Sequence, residues 1–266
     1  MHTNEQELRQ SIVEYGRMMD AKGWIAANDG NISARLDSGR VLSTPAGVGK
    51  GRMLPEELVI VDMAGKKIAG ARECSSEIAM HLAVYQMRPD VQAVMHAHPP
   101  VATGYAAAGR ALNLAVLPEL IVMLGCVPLA DYGLPGTPEL LRPMRPLIPE
   151  HDAILMANHG AVAFGKDLQE AFSRLETVEH GARISLVAEL LGGPKVLPRV
   201  EVDKLIEARG RYGVTTKVSS QSNCPVAAGE SLFQTKPRDR FWVSREELTS
   251  LVDQALMRRL DRKITD

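Results

Sequence analysis

The stretch VQAVMHAHPP, residues 91–100, constrains the fold more than any other part of the chain, because it reads as a buried strand that ends in two imidazoles. Val91, Val94 and Met95 make an apolar run after the Pro89-Asp90 turn, and Pro99-Pro100 closes it. Residues two apart in a strand project from the same face, so His96 and His98 are brought to one point. This is how a strand offers two nitrogens to a metal, although the pair alone would also fit two satisfied core histidines. Catalytic zinc usually takes three protein ligands and keeps one position open, so a third donor is needed. Among the other histidines, His159 stands out: it ends the β-rich run DAILMANHG, and Gly160 beside it permits close backbone approach. His2 sits at the terminus, His81 on a helix, and His151 and His180 in polar surroundings, all ordinary places for histidine.

The remaining texture alternates between helix and strand. Residues 5–23 carry Leu8, Ile12, Val13, Tyr15, Met18 and Met19 at a helical period that Gly23 would stop. From Asn28 to Asp62, short β-rich runs (NISARL, RVLSTP, LVIVD) are separated by Gly, Pro and Asp. Ser75 and Ser76 then precede EIAMHLAVYQM, whose Ile78, Leu82 and Tyr85 repeat at helical spacing behind a serine cap. LNLAVL, GCVPLADY and DAILMANHGAVAFG read as further strands, and GKDLQEAFSRLETVEHGARISLVAELLG as a long helix with Leu168, Phe172, Leu175, Val178 and Ala182 on one stripe. The mixture is α/β or α+β, and 266 residues at 45% hydrophobic content can bury one sizeable core.

Charge and composition exclude several classes. With 31 basic against 32 acidic residues there is no long-range field to draw in nucleic acid or an anionic membrane. The start MHTNEQELRQ is polar, and no uninterrupted apolar stretch approaches the ~18 residues of a membrane span, so a cytoplasmic protein is expected. Cys74, Cys126 and Cys224 lack the spacing of a metal or redox motif.

Two further constellations carry chemistry. Ser75-Ser76-Glu77 puts two hydroxyls and a carboxylate at a helix start, where free N–H groups and a partial positive charge attract phosphate. Glu77 there is either a first-turn acid favoured by the helix dipole or a carboxylate placed beside a docked anion. Gly30-Asn31-Ile32-Ser33 and Ser43-Thr44-Pro45-Ala46-Gly47 form two Gly-containing turns able to supply backbone and amide donors.

In their order and spacing, GNIS, STPAG, SSE about twenty residues before HAHPP, and NHG about sixty residues after it resemble the class II aldolase family that includes L-fuculose-1-phosphate aldolase, over residues 5 to about 213. The resemblance implies a three-layer α/β sandwich, helices flanking a mainly antiparallel central sheet. It also implies a cyclic homotetramer with active sites between neighbours, and a divalent metal, usually Zn2+, with Mn2+ or Co2+ admitted by the same donors. By this likeness His96, His98 and His159 hold the metal, Glu77 is the acid/base carboxylate, and Asn31, Gly47, Ser75 and Ser76 form the phosphate cradle. Tyr212, in LIEARGRYGV, matches a tyrosine that enters the adjacent subunit's site, and Arg209 and Glu119 fall around the aldehyde pocket. One departure is Ala46, where the fuculose-phosphate enzymes carry a hydroxyl, with Lys50 or Arg52 near enough to supply a donor in its place. The implied activity is cleavage of a ketose 1-phosphate to dihydroxyacetone phosphate and an aldehyde such as lactaldehyde. The same scaffold also resembles metal-dependent decarboxylases, dehydratases and epimerases of a phosphorylated sugar or sugar acid, and adducin-like binding modules without the metal residues.

The tail falls outside the resemblance. Residues 214–240 mix Ser, Pro, Gly and charge without period, which reads as a linker. Ser244-Arg245-Glu246-Glu247 then opens an amphipathic helix over 241–266, with Leu248, Leu251, Val252, Ala255, Leu256 and Leu260 on one stripe. Such a helix must dock, either on its own oligomer or, as in the terminal helices it resembles, on a bacterial microcompartment shell.

Overall fold

The computed structural model describes residues 5–214. The linker expected up to 240, beyond Val214, and the helix expected at 241–266 lie outside the described residues.

Eight strands form one sheet: β1 (Asn31–Arg35), β2 (Arg40–Ser43), β3 (Val59–Asp62), β4 (Lys67–Ala69), β5 (Ala93–Ala97), β6 (Leu129–Ala130), β7 (Ala153–Met156) and β8 (Gly160–Gly165), in the order β4-β3-β2-β1-β5-β8-β7-β6. Every pairing is antiparallel except β6 with β7. The helices are α1 (Glu5–Ala21), α2 (Ile78–Met87), α3 (Pro100–Ala107), α4 (Pro118–Met123), α5 (Pro138–Met144), α6 (Leu168–Leu190) and α7 (Arg199–Ala208).

Strand alternation sorts the side chains into two cores, one on each face of the sheet. Ile32, Met95, Ala97, Ala161 and Ala163 pack with Ile12 of α1, Ala102 of α3 and Leu175 and Val178 of α6. Val94, Val162 and Phe164, the residues between, pack with Met80 and Tyr85 of α2 and Leu140 and Met144 of α5. The result is the expected three-layer sandwich, its central sheet mixed but mostly antiparallel. The stripe predicted on α6 is buried throughout, and Asp167 caps that helix by accepting from the Glu170 N–H at 2.7 Å.

Several local expectations need correcting. LNLAVL and GCVPLADY share one isolated bridge, Leu112 to Val127, and GCVPLADY adds only the two residues of β6. Directly after LNLAVL, Pro118 sits at the first position of α4, where its missing N–H costs nothing. Pro100 and Pro138 open α3 and α5 in the same way, so prolines that read as strand stops also start helices. At α2 the cap is Glu77, not a serine; the Ser75 hydroxyl instead accepts from the Glu77 N–H at 3.3 Å.

Beneath α2 and α6 lies a buried charge cluster. Asp152, 2% exposed, takes Arg88 at 3.0 Å and Arg174 at 3.1 Å, while Asp90 and Glu170 hold the outer sides of the two guanidiniums. Removing the central carboxylate takes one of two acidic partners from each of two buried cations. Asp152→Ala should lower unfolding stability in urea by about 3 kcal/mol, the low end for a broken buried pair because each arginine keeps one acid. A loss below about 1 kcal/mol, the range of exposed pairs, would show that Asp152 contributes no more than a surface ion pair. Among the described residues no helix is long and apolar enough to cross a membrane.

Candidate metal centre and active site

β5 lies in the middle of the sheet and pairs with β1 and β8, so its end is where the other two strands deliver their side chains. Asn31 of β1 faces His96 across one ladder, and Val162 of β8 faces it across the other. The turn between β7 and β8 spans residues 157–159, with Asn158 in the left-handed region at φ 56°, a conformation asparagine tolerates better than most residues. This turn brings His159 beside His98. Gly160 is required here by space: a Cβ on it would meet the Ala97 carbonyl oxygen and His98 Cδ2, each at 2.6 Å.

The three imidazoles converge. Their ring centroids are 4.7–5.1 Å apart, and one nitrogen from each lies within 4.8 Å of the others. His96 is fully buried and its Nδ1 lies 2.9 Å from the Ala161 carbonyl oxygen; since a carbonyl only accepts, Nδ1 carries the proton and Nε2 presents its lone pair inward. Asp29 does the same for His98, its Oδ2 lying 3.3 Å from Nδ1. The two Nε2 atoms, so oriented, are 3.2 Å apart. Burial pushes His96 down to about 3 and lowers His98 as well, so both stay neutral, the form that ligates metal.

Glu77 completes the cluster. As cap of α2 it turns its side chain away from the helix axis, placing Oε1 3.2 Å from His159 Nε2 and Oε2 3.4 Å from His96 Nε2. Burial works to raise its pKa, but the His159 imidazole and the Asn31 amide outweigh it and hold the carboxyl well below the usual range. The reading of Glu77 as a first-turn acid paired with the dipole alone is therefore too weak: its side chain belongs to the histidine cluster.

These residues fit a divalent metal. Three imidazole nitrogens converge, two of them, on His96 and His98, with tautomers fixed from behind, and a hydrogen-bonded carboxylate stands beside them. His159 Nδ1 and Glu77 Oε1 are both buried without a hydrogen-bond partner, the mark of groups whose partner is not protein.

The cluster opens into a cavity of about 250 Å³ whose wall includes Asn31, Ala46, Gly47, Lys50, Ser75 and Ser76. The fold thus brings His96, His98, His159, Glu77, Asn31, Gly47, Ser75 and Ser76, all expected from the sequence, to one place. Asn31 differs in detail: its amide donates to Glu77 Oε2 at 2.8 Å and its Oδ1 lies 2.5 Å from His81 Nε2, so most of that side chain is already engaged. Tyr212 stays apart. It is 68% exposed in the turn after α7 and does not line the cavity of its own chain. Arg209 is corrected as an aldehyde-pocket residue of this chain, since it is buried with its guanidinium on the Ile121 carbonyl at 2.9 Å. Glu119 is an exposed residue in the first turn of α4. Asp29 went unnoticed in the sequence; its place two residues before Asn31, at the entry to β1, was the available signal. A larger groove of about 1020 Å³, between Leu8, Tyr15, Arg35 and Asp167, holds no comparable cluster.

A family model described as Class II Aldolase and Adducin N-terminal domain matches residues 10–186, and the chain belongs to this family. It is 34% identical over 210 residues to a 5-deoxy-D-ribulose 1-phosphate aldolase of Bacillus thuringiensis serovar kurstaki, a match covering 78% of this chain and 98% of that one. It is 32% identical over 209 residues to a 3-oxo-tetronate 4-phosphate decarboxylase of Haemophilus influenzae, covering 76% and 97%. In three dimensions it is similar to a solved L-fuculose 1-phosphate aldolase, with TM-score 0.73 and 30% identity over 80% of this chain and 99% of that one.

Proposed function

We propose that the chain is a metal-dependent lyase that cleaves a ketose 1-phosphate, of the L-fuculose-1-phosphate kind, to dihydroxyacetone phosphate and an aldehyde such as lactaldehyde. The observation that carries this reading is the meeting, in one cavity, of a three-imidazole cluster, a buried carboxylate and the hydroxyl-bearing start of α2. His96, His98 and His159 would hold the metal, Zn2+ first and Mn2+ or Co2+ by the same donor set. When bound, the metal supplies Lewis acidity that stabilises negative charge developing on substrate oxygens.

The chain's own residues do the rest. Ser75, Ser76 and Gly47, with the partial positive charge at the start of α2, hold the phosphate and so fix the carbon chain against Glu77. As the C3–C4 bond breaks, its electron pair stays with the C1–C3 fragment; the C4 hydroxyl loses a proton to leave the aldehyde, and Glu77, a carboxylate at rest, takes up one proton and passes it to C3, so that the step neither gains nor loses a proton overall. Tyr212 is assigned to that second proton in a neighbouring subunit of a homotetramer, which agrees with its exposed position outside its own cavity.

Lys50 serves the phosphate in place of the hydroxyl that Ala46 does not supply. It is 2% exposed and lines the cavity, with Nζ 2.6 Å from the Asn28 carbonyl, whereas Arg52 is outside it. Burial lowers its pKa to about 8, with Asp29 and Glu77 opposing the shift. The amine is therefore cationic below that pH and neutral above, so kcat/KM for a phosphorylated substrate should fall as pH rises through about 8. Lys50→Met should raise KM about 10–100-fold, the worth of one charge-assisted hydrogen bond, and abolish that limb. An unchanged KM would remove Lys50 from the phosphate site.

The reaction itself is tested by a coupled assay for dihydroxyacetone phosphate across ketose 1-phosphates, on metal-loaded, chelated and zinc-restored protein. Metal-dependent triose phosphate supports the aldolase. The similarity to a 3-oxo-tetronate 4-phosphate decarboxylase favours one second reading, for which carbon dioxide would appear from a phosphorylated keto acid with no triose phosphate from any ketose.

A further inference from the structure

Behind Glu77 a string of buried polar side chains runs into the layer between the sheet and α2, away from the cavity's phosphate end. Asn31 Nδ2 donates to Glu77 Oε2 at 2.8 Å; Asn31 Oδ1 is 2.5 Å from His81 Nε2; His81 Nδ1 is 2.7 Å from the Ser33 hydroxyl, itself 2.8 Å from the Tyr85 hydroxyl. The string is built from two periodicities. Asn31 and Ser33 share one face of β1, and Glu77, His81 and Tyr85 follow one another at four-residue steps down α2. His81 and Tyr85 are each 1% exposed and Ser33 is fully buried.

The carboxylate at one end dictates the direction of every bond. An ionised carboxylate only accepts, so Asn31 must present its NH2 to Glu77 and its oxygen to His81. His81 must then carry its proton on Nε2. Burial pushes His81 down to about 4, so the ring stays neutral and Nδ1 is an acceptor. Ser33 therefore donates to Nδ1 and accepts from the Tyr85 hydroxyl. A reversal anywhere along the string would turn the Asn31 oxygen onto the Glu77 carboxylate.

The geometry points to His81 as a positioning residue: its neutral Nε2–H form locks the Asn31 amide, which holds Glu77 Oε2 and leaves Oε1 directed into the histidine cluster. The kinetic part of this inference rests on Glu77 acting on the substrate as proposed above; the bonding part does not.

Two measurements test it. Ring 1H–15N correlation on histidine-labelled protein, loaded with zinc, should show His81 with a pyrrole-type Nε2 and a pyridine-type Nδ1; a proton on Nδ1 would overturn the inference whatever the enzyme's substrate. In kinetics, His81→Phe should lower kcat about 10–100-fold, the usual cost of removing a group that orients a site residue, with KM and zinc content within about twofold of wild type. His81→Gln, whose Nε2 can still donate to Asn31, should recover most of the loss. Asp152→Ala, outside the cavity and comparably destabilising, sets the comparison: if it loses as much kcat as His81→Phe at the same temperature, or if His81→Phe keeps wild-type kcat, His81 serves stability alone. If wild-type protein releases no triose phosphate, the proposed reaction fails while the histidine tautomer still decides the positioning role.

Discussion

Glu77→Gln should retain a full complement of metal and lose about 10²–10⁴ in kcat, the contribution of a positioned general acid or base. The substitution preserves size and can still accept from the Asn31 amide at the Oε2 position, so the string through His81 stays satisfied. Neutral glutamine also removes the carboxylate lying within 3.4 Å of His96 and His159, yet His96 and His98 do not depend on it for their tautomers: His96 is fixed by the Ala161 carbonyl and His98 by Asp29. Metal content and turnover should therefore separate. Metal analysis on the purified variant, set beside its kcat and KM, checks both. Turnover at the wild-type rate would take Glu77 out of proton transfer, and loss of metal together with turnover would make it a ligand instead.

The long elements and the His96/His98 pair were legible in the sequence for the same reason: each depends on a short-range period. His96 and His98 at a spacing of two on an apolar run, and the α6 stripe at helical spacing, carry their geometry with them. Where residues 112–132 failed to read correctly, apolar content was high without a clean period, and tertiary packing decided: Leu120, Leu124 and Val127 enter the core from a short helix and loop, not from strands. The prolines at 100, 118 and 138 are ambiguous in isolation, because the missing N–H that ends a strand also suits a helix start.

The support behind the site was less visible. Glu77, His81 and Tyr85 stand at four-residue steps, and Asn31 and Ser33 at a two-residue step, so both halves of the string are written in the sequence. What the sequence withholds is that β1 and α2 pack face to face, a long-range fact that no local period encodes. His81 in isolation is an ordinary helical histidine. Tyr212 illustrates the complementary limit: its likeness to a tyrosine that reaches into a neighbour's site is a statement about assembly, and within one chain it is simply an exposed side chain.

Removing a ligand should couple the two losses that Glu77→Gln separates. His96→Ala is expected to lose metal and activity together, because His96 is the proposed ligand whose orientation is fixed most completely, by a 2.9 Å bond to the Ala161 carbonyl on the paired strand. The ring is fully buried on the strand between β1 and β8, so alanine also leaves a cavity and removes one donor from the Ala161 carbonyl, costing about 1–3 kcal/mol of stability. That structural loss must be set apart from the metal loss. His96→Gln fills most of the space and can still donate to Ala161, but places no imidazole nitrogen in the cluster; it should melt close to wild type and remain metal-poor. Zinc at millimolar excess should restore neither variant's turnover to within about tenfold of wild type, as two remaining imidazoles cannot match the three-ligand site. Wild-type metal content in His96→Gln would refute the ligand assignment, and with it the reason for placing two imidazoles at the end of a buried strand.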